Sequence, residues 1–169
     1  MGARNSHCSF CGEPYAPEAP WPRACAACGQ ITYRNPVPVA ITLVPVDGGL
    51  LVVRRAIEPG RGKLALPGGY INYGEGWQAA GAREVQEETG VNLDPERIRE
   101  FAVHSAPDGA LLVFGLAAAL RRQDLAPFKL DAETLEVLVI DRPQELAFSL
   151  HTAMVEAYFR GRLGPAGAG

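Results

Sequence analysis

Three glutamates, Glu84, Glu87 and Glu88, stand at relative positions zero, three and four within the stretch GYINYGEGWQAAGAREVQEETGV, Gly69 to Val91. On a helix that spacing puts three carboxylates on one face within one turn. Like charges so close repel, and a divalent cation is the simplest reason to gather them; a solvated acidic helix is the bland alternative. Hard ions such as magnesium take carboxylate oxygens, keep several waters and share the rest of their shell with substrate phosphates. Arg83 lies four residues before Glu87, the right distance for an ion pair that holds one carboxylate while the others face the metal.

A second cluster is built of sulfur. All four cysteines fall in the first 28 residues, as Cys8-x-x-Cys11 and Cys25-x-x-Cys28. Two such pairs separated by a short loop match a tetrahedral thiolate zinc site. Disulfides and a redox pair are the competing readings. A reducing compartment disfavours the first, and a redox motif would more typically open a helix in a thioredoxin-like unit. Gly12 and Gly29 follow the second cysteine of each pair and supply the tight turn that lets backbone amides point at sulfur. With all four positions taken by cysteine the site is closed, so structural zinc there stabilises the fold and does not catalyse. His7, beside Cys8, is then a surface histidine.

The elements that must position these groups follow from the pattern. A helix is predicted from Trp77 to Thr89: Ala79, Ala80 and Ala82 favour it, Gly81 weakens it, and Gly90 is the residue type found just past a helix end. Upstream, Leu66-Pro67-Gly68-Gly69 reads as a loop whose backbone can approach a ligand closely. Val39–Val46 and Leu50–Arg55 read as strands joined through Asp47-Gly48-Gly49, with Pro45 marking an edge or an irregular end. Glu58–Lys63 is a glycine-rich loop whose Arg61 and Lys63 either meet phosphate or sit in solvent. Ile98–His104 and Ala110–Leu120 are predicted strands around the turn Ser105–Gly109. A loop over Arg121–Asp131, a strand over Leu135–Ile140 and an amphipathic helix over Leu150–Arg160 complete the pattern, the helix burying Met154, Val155, Tyr158 and Phe159.

Strands mixed with two helices predict an α/β or α+β layered domain. The expected organisation is a ribbon and connector over residues 1–35, a main domain over 36–161 and a disordered tail over 162–169. The first segment is too poor in aliphatics to bury a core of its own, which is why a metal staple suits it. Hydrophobic content of 47% is ordinary for a soluble protein, and the formal charge of −3 argues against a general nucleic-acid binder. No apolar run approaches the ~20 residues that cross a membrane. The N-terminus lacks the apolar core of a secretory signal, so a cytoplasmic location is expected.

Gly69, Glu75, Arg83, Glu84, Val85, Glu87, Glu88, Gly90 and Val91 together resemble the signature of the Nudix hydrolases, matching it at every defined position. The resemblance covers roughly residues 37 to 160. It implies an α/β/α sandwich with a mixed sheet between helices, and a magnesium- or manganese-dependent hydrolase that opens the pyrophosphate of a nucleoside diphosphate derivative. Carried over by position, Glu84, Glu87 and Glu88 are metal ligands, with the Gly69 carbonyl adding another. Glu75 supports the loop and helix, and Arg83 orients a glutamate and does not touch substrate. The general base is a motif glutamate or a downstream carboxylate, for which Glu133 and Glu136 are the candidates.

The paired CxxC motifs followed by Tyr33-Arg34-Asn35-Pro36 resemble the zinc-ribbon Nudix proteins, which include NADH pyrophosphatases and relatives acting on ADP-ribose or FAD. Where the NADH enzymes carry Ser-Gln-Pro-Trp-Pro-Phe-Pro, this chain has Val103–Gly109. That departure favours ADP-ribose, FAD or a related dinucleotide over NADH, and Pro107 stands about where ADP-ribose-type members carry a proline. Tyr70, Tyr73, Trp77 and Phe114 are candidates for stacking on adenine or for the core. His104 and His151 lie outside any recognisable nucleophile setting and take no role.

A nucleotide-sensing module without turnover is the rival reading. Such modules commonly lose motif glutamates or carry a DNA-binding domain, whereas here every glutamate is kept. A ribbon that binds RNA ends would need a basic stripe, and residues 1–35 hold only Arg4, Arg23 and Arg34. The expected partner is a small nucleotide substrate, with neither membrane nor nucleic acid. A homodimer assembled from the ribbon and first strands would help complete the substrate pocket.

Overall fold

The main domain is organised by one strand that changes sheets. In the computed structural model, which describes residues 5–125 and 132–163, the chain divides into two compact units, Met1–Pro36 and Val37–Gly169. The first contains β1 (Arg23–Ala24) and β2 (Ile31–Thr32), a short antiparallel pair. The second begins with β3 (Val37–Leu43), breaks at Val44 and resumes as β4 (Pro45–Val46) in a different sheet. The sequence pattern predicted one strand over Val39–Val46. The break arises because residues up to Leu43 pair with β9, whereas Pro45 and Val46 pair with β5. β4 lies at the edge of its sheet, where proline's missing N–H costs no ladder bond.

β5 (Gly49–Arg55) follows a two-residue turn in which Asp47 and Gly48 both have positive φ, 45° and 91°. That is the geometry the twist of an antiparallel hairpin prefers. β6 (Leu64–Ala65) returns along β5, and β7 (Gly68–Tyr70) then joins β3 in the other sheet. Helix α1 (Trp77–Thr89) spans the predicted residues and stops at Gly90, whose φ of 74° is left-handed and whose N–H donates to the Gln86 carbonyl. β8 (Arg99–Ser105) and β9 (Ala110–Leu116) form a hairpin, and β10 (Thr134–Ile140) pairs with β5.

The two four-stranded sheets are therefore β7-β3-β9-β8, mixed because β3 and β9 run parallel, and a second built on β10-β5-β4 with β6 against β5. The predicted strand Ala110–Leu120 ends four residues early, and Arg122–Asp124 is a short 3-10 turn. Helix α2 (Ser149–Leu163) buries Met154, Val155, Tyr158 and Phe159 as expected, in a core with Ile41, Leu43, Leu50, Val52, Leu112 and Phe114. Burying side chains such as Met154, Val155 and Phe159 is worth roughly 1.5–3 kcal/mol each. Arg162 and Leu163, expected in the tail, close this helix; the rest of that tail, residues 164–169, lies outside the described residues, as do 1–4 and 126–131. No helix among the described residues is long and apolar enough to cross a membrane.

The two helices take opposite faces of the mixed sheet. Alternation along β3 sends Ile41 and Leu43 toward α2 and leaves Ala40 and Thr42 facing α1. There Gly81, which looked like a weakness of the helix, lets it approach: a Cβ at Gly81 would stand 2.6 Å from the Thr42 hydroxyl. Gly81→Val is therefore expected to lower stability by about 1–3 kcal/mol through overpacking. Chemical denaturation checks this, and an unchanged midpoint would show that α1 has room to spare.

Candidate functional site

Arg83 stands at the centre of the acidic motif and uses every donor it has. Its Nε and one terminal nitrogen grip both oxygens of Glu75 at 3.0 and 3.1 Å. The same terminal nitrogen donates to the Tyr70 carbonyl at 3.0 Å. The other terminal nitrogen donates to Glu84 at 2.6 Å and to Glu87 at 3.1 Å. A guanidinium has five N–H groups, and five bonds are made. Glu75 also accepts from the Asn72 N–H, so the loop before α1 is closed onto the helix. Arg83 and then Asn72 hold the Glu75 carboxyl below its ordinary range.

Helix periodicity carries Glu84 and Glu88 toward the crossing from β6 to β7, where Gly68 and Gly69, expected in a loop, instead open β7 against β3. The Gly68 N–H donates to Glu88 Oε2 at 3.0 Å. Gly69 lies so near the Glu84 carboxylate that any side chain at 69 would collide with it. Burial raises the Glu84 pKa, against the pull of Arg83, and the charges of Glu87 and Glu133 raise it further. Burial also pushes Glu88 up to about 8, opposed by the Gly68 N–H and helped by the negative charge of Glu84. Glu87 lies on the exposed side of the cluster.

These residues fit a divalent cation. They offer hard oxygen donors, a bare backbone at Gly69 beside one of them, and a buried carboxylate that lacks enough positive charge to stay ionised at neutral pH. Among the described residues, however, the one group whose ligand atoms already converge is the four cysteines. The motif carboxylates are drawn instead to Arg83 and Gly68.

The structure separates the two downstream carboxylates. Glu133 immediately precedes β10, and its carbonyl accepts from the Ala56 N–H at 2.7 Å. Its charge reaches both Glu84 and Glu88. Glu136 points to Arg54, which it meets at 2.8 Å on the exposed surface. Arg61 and Lys63 are exposed. Of the four aromatic candidates, Phe114 is fully buried and Trp77 packs against the core under α1, while Tyr70 and Tyr73 are exposed. His151, which sequence alone left without a role, is buried and accepts a hydrogen bond from the Leu66 N–H at the crossing into β7. An isolated histidine carries no sequence signal of that kind; only the packing of α2 reveals it.

In the N-terminal unit the four sulfurs lie within 4.8 Å of one another, with Cys8 to Cys28 at 3.7 Å and Cys11 to Cys25 at 3.6 Å. Four sulfurs about 2.3 Å from one zinc ion stand about 3.8 Å apart, whereas a disulfide needs about 2.05 Å. The thiols are free. The Gly12 N–H donates to the Cys8 carbonyl and the Gly29 N–H to the Cys25 carbonyl, both glycines having positive φ, so the two knuckles match. Backbone N–H groups of Cys11 and Phe10 pull Cys8 down to about 6, while burial and the other three sulfurs push Cys28 up to about 12, so the cation-free cluster favours ionising one thiol and not all four.

The family model of the NUDIX domain matches residues 34–157. The chain belongs to the Nudix family. It is 28% identical over 141 residues to an ADP-ribose pyrophosphatase of Methanocaldococcus jannaschii, covering 78% of each chain. It is also 28% identical over 165 residues to an NAD-capped RNA hydrolase of Stutzerimonas stutzeri, covering 96% of this chain but 59% of that protein's length. A Nudix hydrolase structure from Nitrosomonas europaea superposes with a TM-score of 0.76 at 28% identity, over 93% of this chain and 92% of that one. The matched stretch contains the whole cluster built around Arg83.

Two outcomes follow. With a folded-state value near 8, Glu88 holds its proton at pH 7, so a cation bound by Glu88 is expected to release about one proton and to bind more tightly as pH rises toward 8. Because that value lies above the ordinary carboxylate one, ionising Glu88 costs the cation-free fold stability between about pH 4.5 and 8, and a cation offsets the loss. Calorimetry in buffers of different ionisation enthalpy reads the proton count; a count of zero at pH 7 would remove Glu88 from the ligand set. Separately, Cys25→Ser is expected to lower zinc content and melt the N-terminal unit before it affects turnover. Elemental analysis gives the zinc content, and an unchanged value would overturn the four-thiolate site.

Proposed function

We propose that this Nudix pyrophosphohydrolase cleaves the pyrophosphate linkage of a nucleoside diphosphate derivative, with ADP-ribose, FAD or a related dinucleotide ahead of NADH. The observation that carries this reading is the cradle of Gly68, Gly69, Glu84 and Glu88, held in register by Arg83. Magnesium or manganese held by Glu84, Glu87, Glu88 and the Gly69 carbonyl would neutralise charge on the diphosphate and lower the pKa of an attacking water. Water adds to one phosphorus, the bridging P–O bond breaks, and two phosphate products leave. Glu133 accepts the proton from that water, a role supported by its electrostatic reach to Glu84 and Glu88. Arg83, with no donor to spare, positions carboxylates and does not bind substrate.

Preference for ADP-ribose rests on the match to the archaeal ADP-ribose pyrophosphatase over most of both chains, and on Val103–Gly109 departing from the NADH-enzyme pattern. The NAD-capped RNA hydrolase is matched over a smaller share of its length. The four cysteines hold one structural zinc ion, a reading supported by their mutual distances.

The test is product release from ADP-ribose, FAD, NADH, NAD-capped RNA, dinucleoside polyphosphates and nucleoside triphosphates, followed chromatographically with magnesium present. ADP-ribose or FAD well ahead of NADH supports the preference, and NADH in front overturns it. Glu87→Gln is expected to cut turnover by orders of magnitude with the fold intact; near-normal activity would sink the metal-site reading. Glu133→Gln is expected to lower kcat roughly 10²–10⁴-fold, while Glu136→Gln leaves it nearly unchanged. The reverse order would move the base to Glu136.

A further inference from the structure

Leu66 sits where the chain leaves one sheet for the other, since β6 pairs with β5 and β7 pairs with β3. At that crossing the Leu66 N–H belongs to neither ladder, and a buried N–H without a partner is costly. His151, in the first turn of α2, supplies the partner: the Leu66 N–H donates to its Nδ1 at 3.2 Å. The imidazole is only 6% exposed and packs edge-on to Phe114 and tilted against Phe148, with ring centres 5.8 and 5.0 Å away. A ring nitrogen that accepts carries no proton, so the ring is neutral with its hydrogen on Nε2. Burial, helped by the positive charge of Arg55, lowers its pKa to about 4 and keeps it in that form at neutral pH.

Packing against two aromatic rings does not by itself call for an imidazole. The bond to Leu66 does. Beyond it, β3 and α1 hold the next three residues. The Pro67 carbonyl accepts from the Thr42 N–H of β3 at 2.9 Å, the Gly68 N–H meets Glu88 of α1, and Gly69 abuts Glu84 of α1. The neighbouring chain reinforces the first anchor, as the Ala147 N–H donates to the Leu64 carbonyl at 2.7 Å.

We propose that His151 is a positioning residue for the hydrolytic site: its Nδ1 ties α2 to Leu66, at the crossing that leads into β7, and so sets where Gly68 and Gly69 meet Glu88 and Glu84. The proposal rests on reading that crossing as the face presented to the pyrophosphate. His151 touches no reacting atom, and its effect passes through the backbone.

The test compares His151→Leu, which removes the acceptor, with His151→Asn, whose side-chain oxygen lies near the place of Nδ1. In the leucine variant the Leu66 amide is expected to lose hydrogen-exchange protection. Its kcat is expected to fall roughly 10–100-fold with KM little changed. Asparagine is expected to restore both. Equal losses in the two variants, or a folded leucine variant with normal kcat, would overturn the proposal. Should neither variant fold, long-range proton–nitrogen NMR of the unaltered protein decides, because a hydrogen found on Nδ1 excludes the bond to Leu66. Activity retained in Glu87→Gln would instead defeat the reading of the site and leave the Leu66 protection pattern standing.

Discussion

One guanidinium holds the acidic half of this site together. Three glutamates within one helical turn, and a fourth on the preceding loop, would repel one another and splay. Arg83 prevents this by spending all five donors on Glu75, Glu84, Glu87 and the Tyr70 carbonyl. Its planar fork is what allows two carboxylate oxygens and a carbonyl to be gripped from fixed directions; an ammonium group offers three donors and no fork. The arrangement also partitions the carboxylates. Glu75, gripped at both oxygens, is held ionised, whereas Glu88, out of reach of Arg83 and buried, is pushed toward its protonated form. A site with a shortage of positive charge at its inner end is thereby built beside a structural ion pair at its outer end.

The glycine pair that opens β7 meets this helix because the backbone there has no side chains to hold it off. Gly69 admits the Glu84 carboxylate, and Gly81 admits Thr42 of β3, so α1 rests close on the mixed sheet along much of its length. The same stretch is the crossing between two sheets, which leaves its backbone groups to be satisfied one at a time by β3, α1 and α2. Such a crossing is rigid only when every polar group finds a partner. Here the partners are Thr42 of β3, Glu88 of α1 and His151 of α2.

The N-terminal unit reaches order by another route. Its described residues, with two-residue strands and few buried apolar side chains, form no core comparable to that of the main domain. Its organising feature is four sulfurs brought within 4.8 Å by two matching turns. Arg23 adds to it by lying over the Trp21 and Tyr15 rings, at 4.7 and 5.5 Å from their centres.

Much of this was legible in the sequence, where spacing along the chain maps directly onto spacing in space. The i, i+3, i+4 glutamates had to share a helical face, Gly90 had to end that helix, Asp47-Gly48 had to turn a hairpin, and two CxxC pairs had to gather sulfur. These are local rules, set by backbone geometry over a few residues. Only the tertiary structure decided what depends on contacts between distant residues. It split the run from Val39 to Val46 between two sheets, because the partner strands of its two halves differ. It turned Gly81 from a weak point of the helix into the place where the helix fits. It set Glu133 near the motif and tied Glu136 to Arg54, although the two stand three residues apart on the same stretch. It also gave His151, 85 residues beyond Leu66, a partner that no local pattern encodes. Sequence spacing governs geometry only within an element; between elements, burial and the need to pair every buried polar group decide which residues meet.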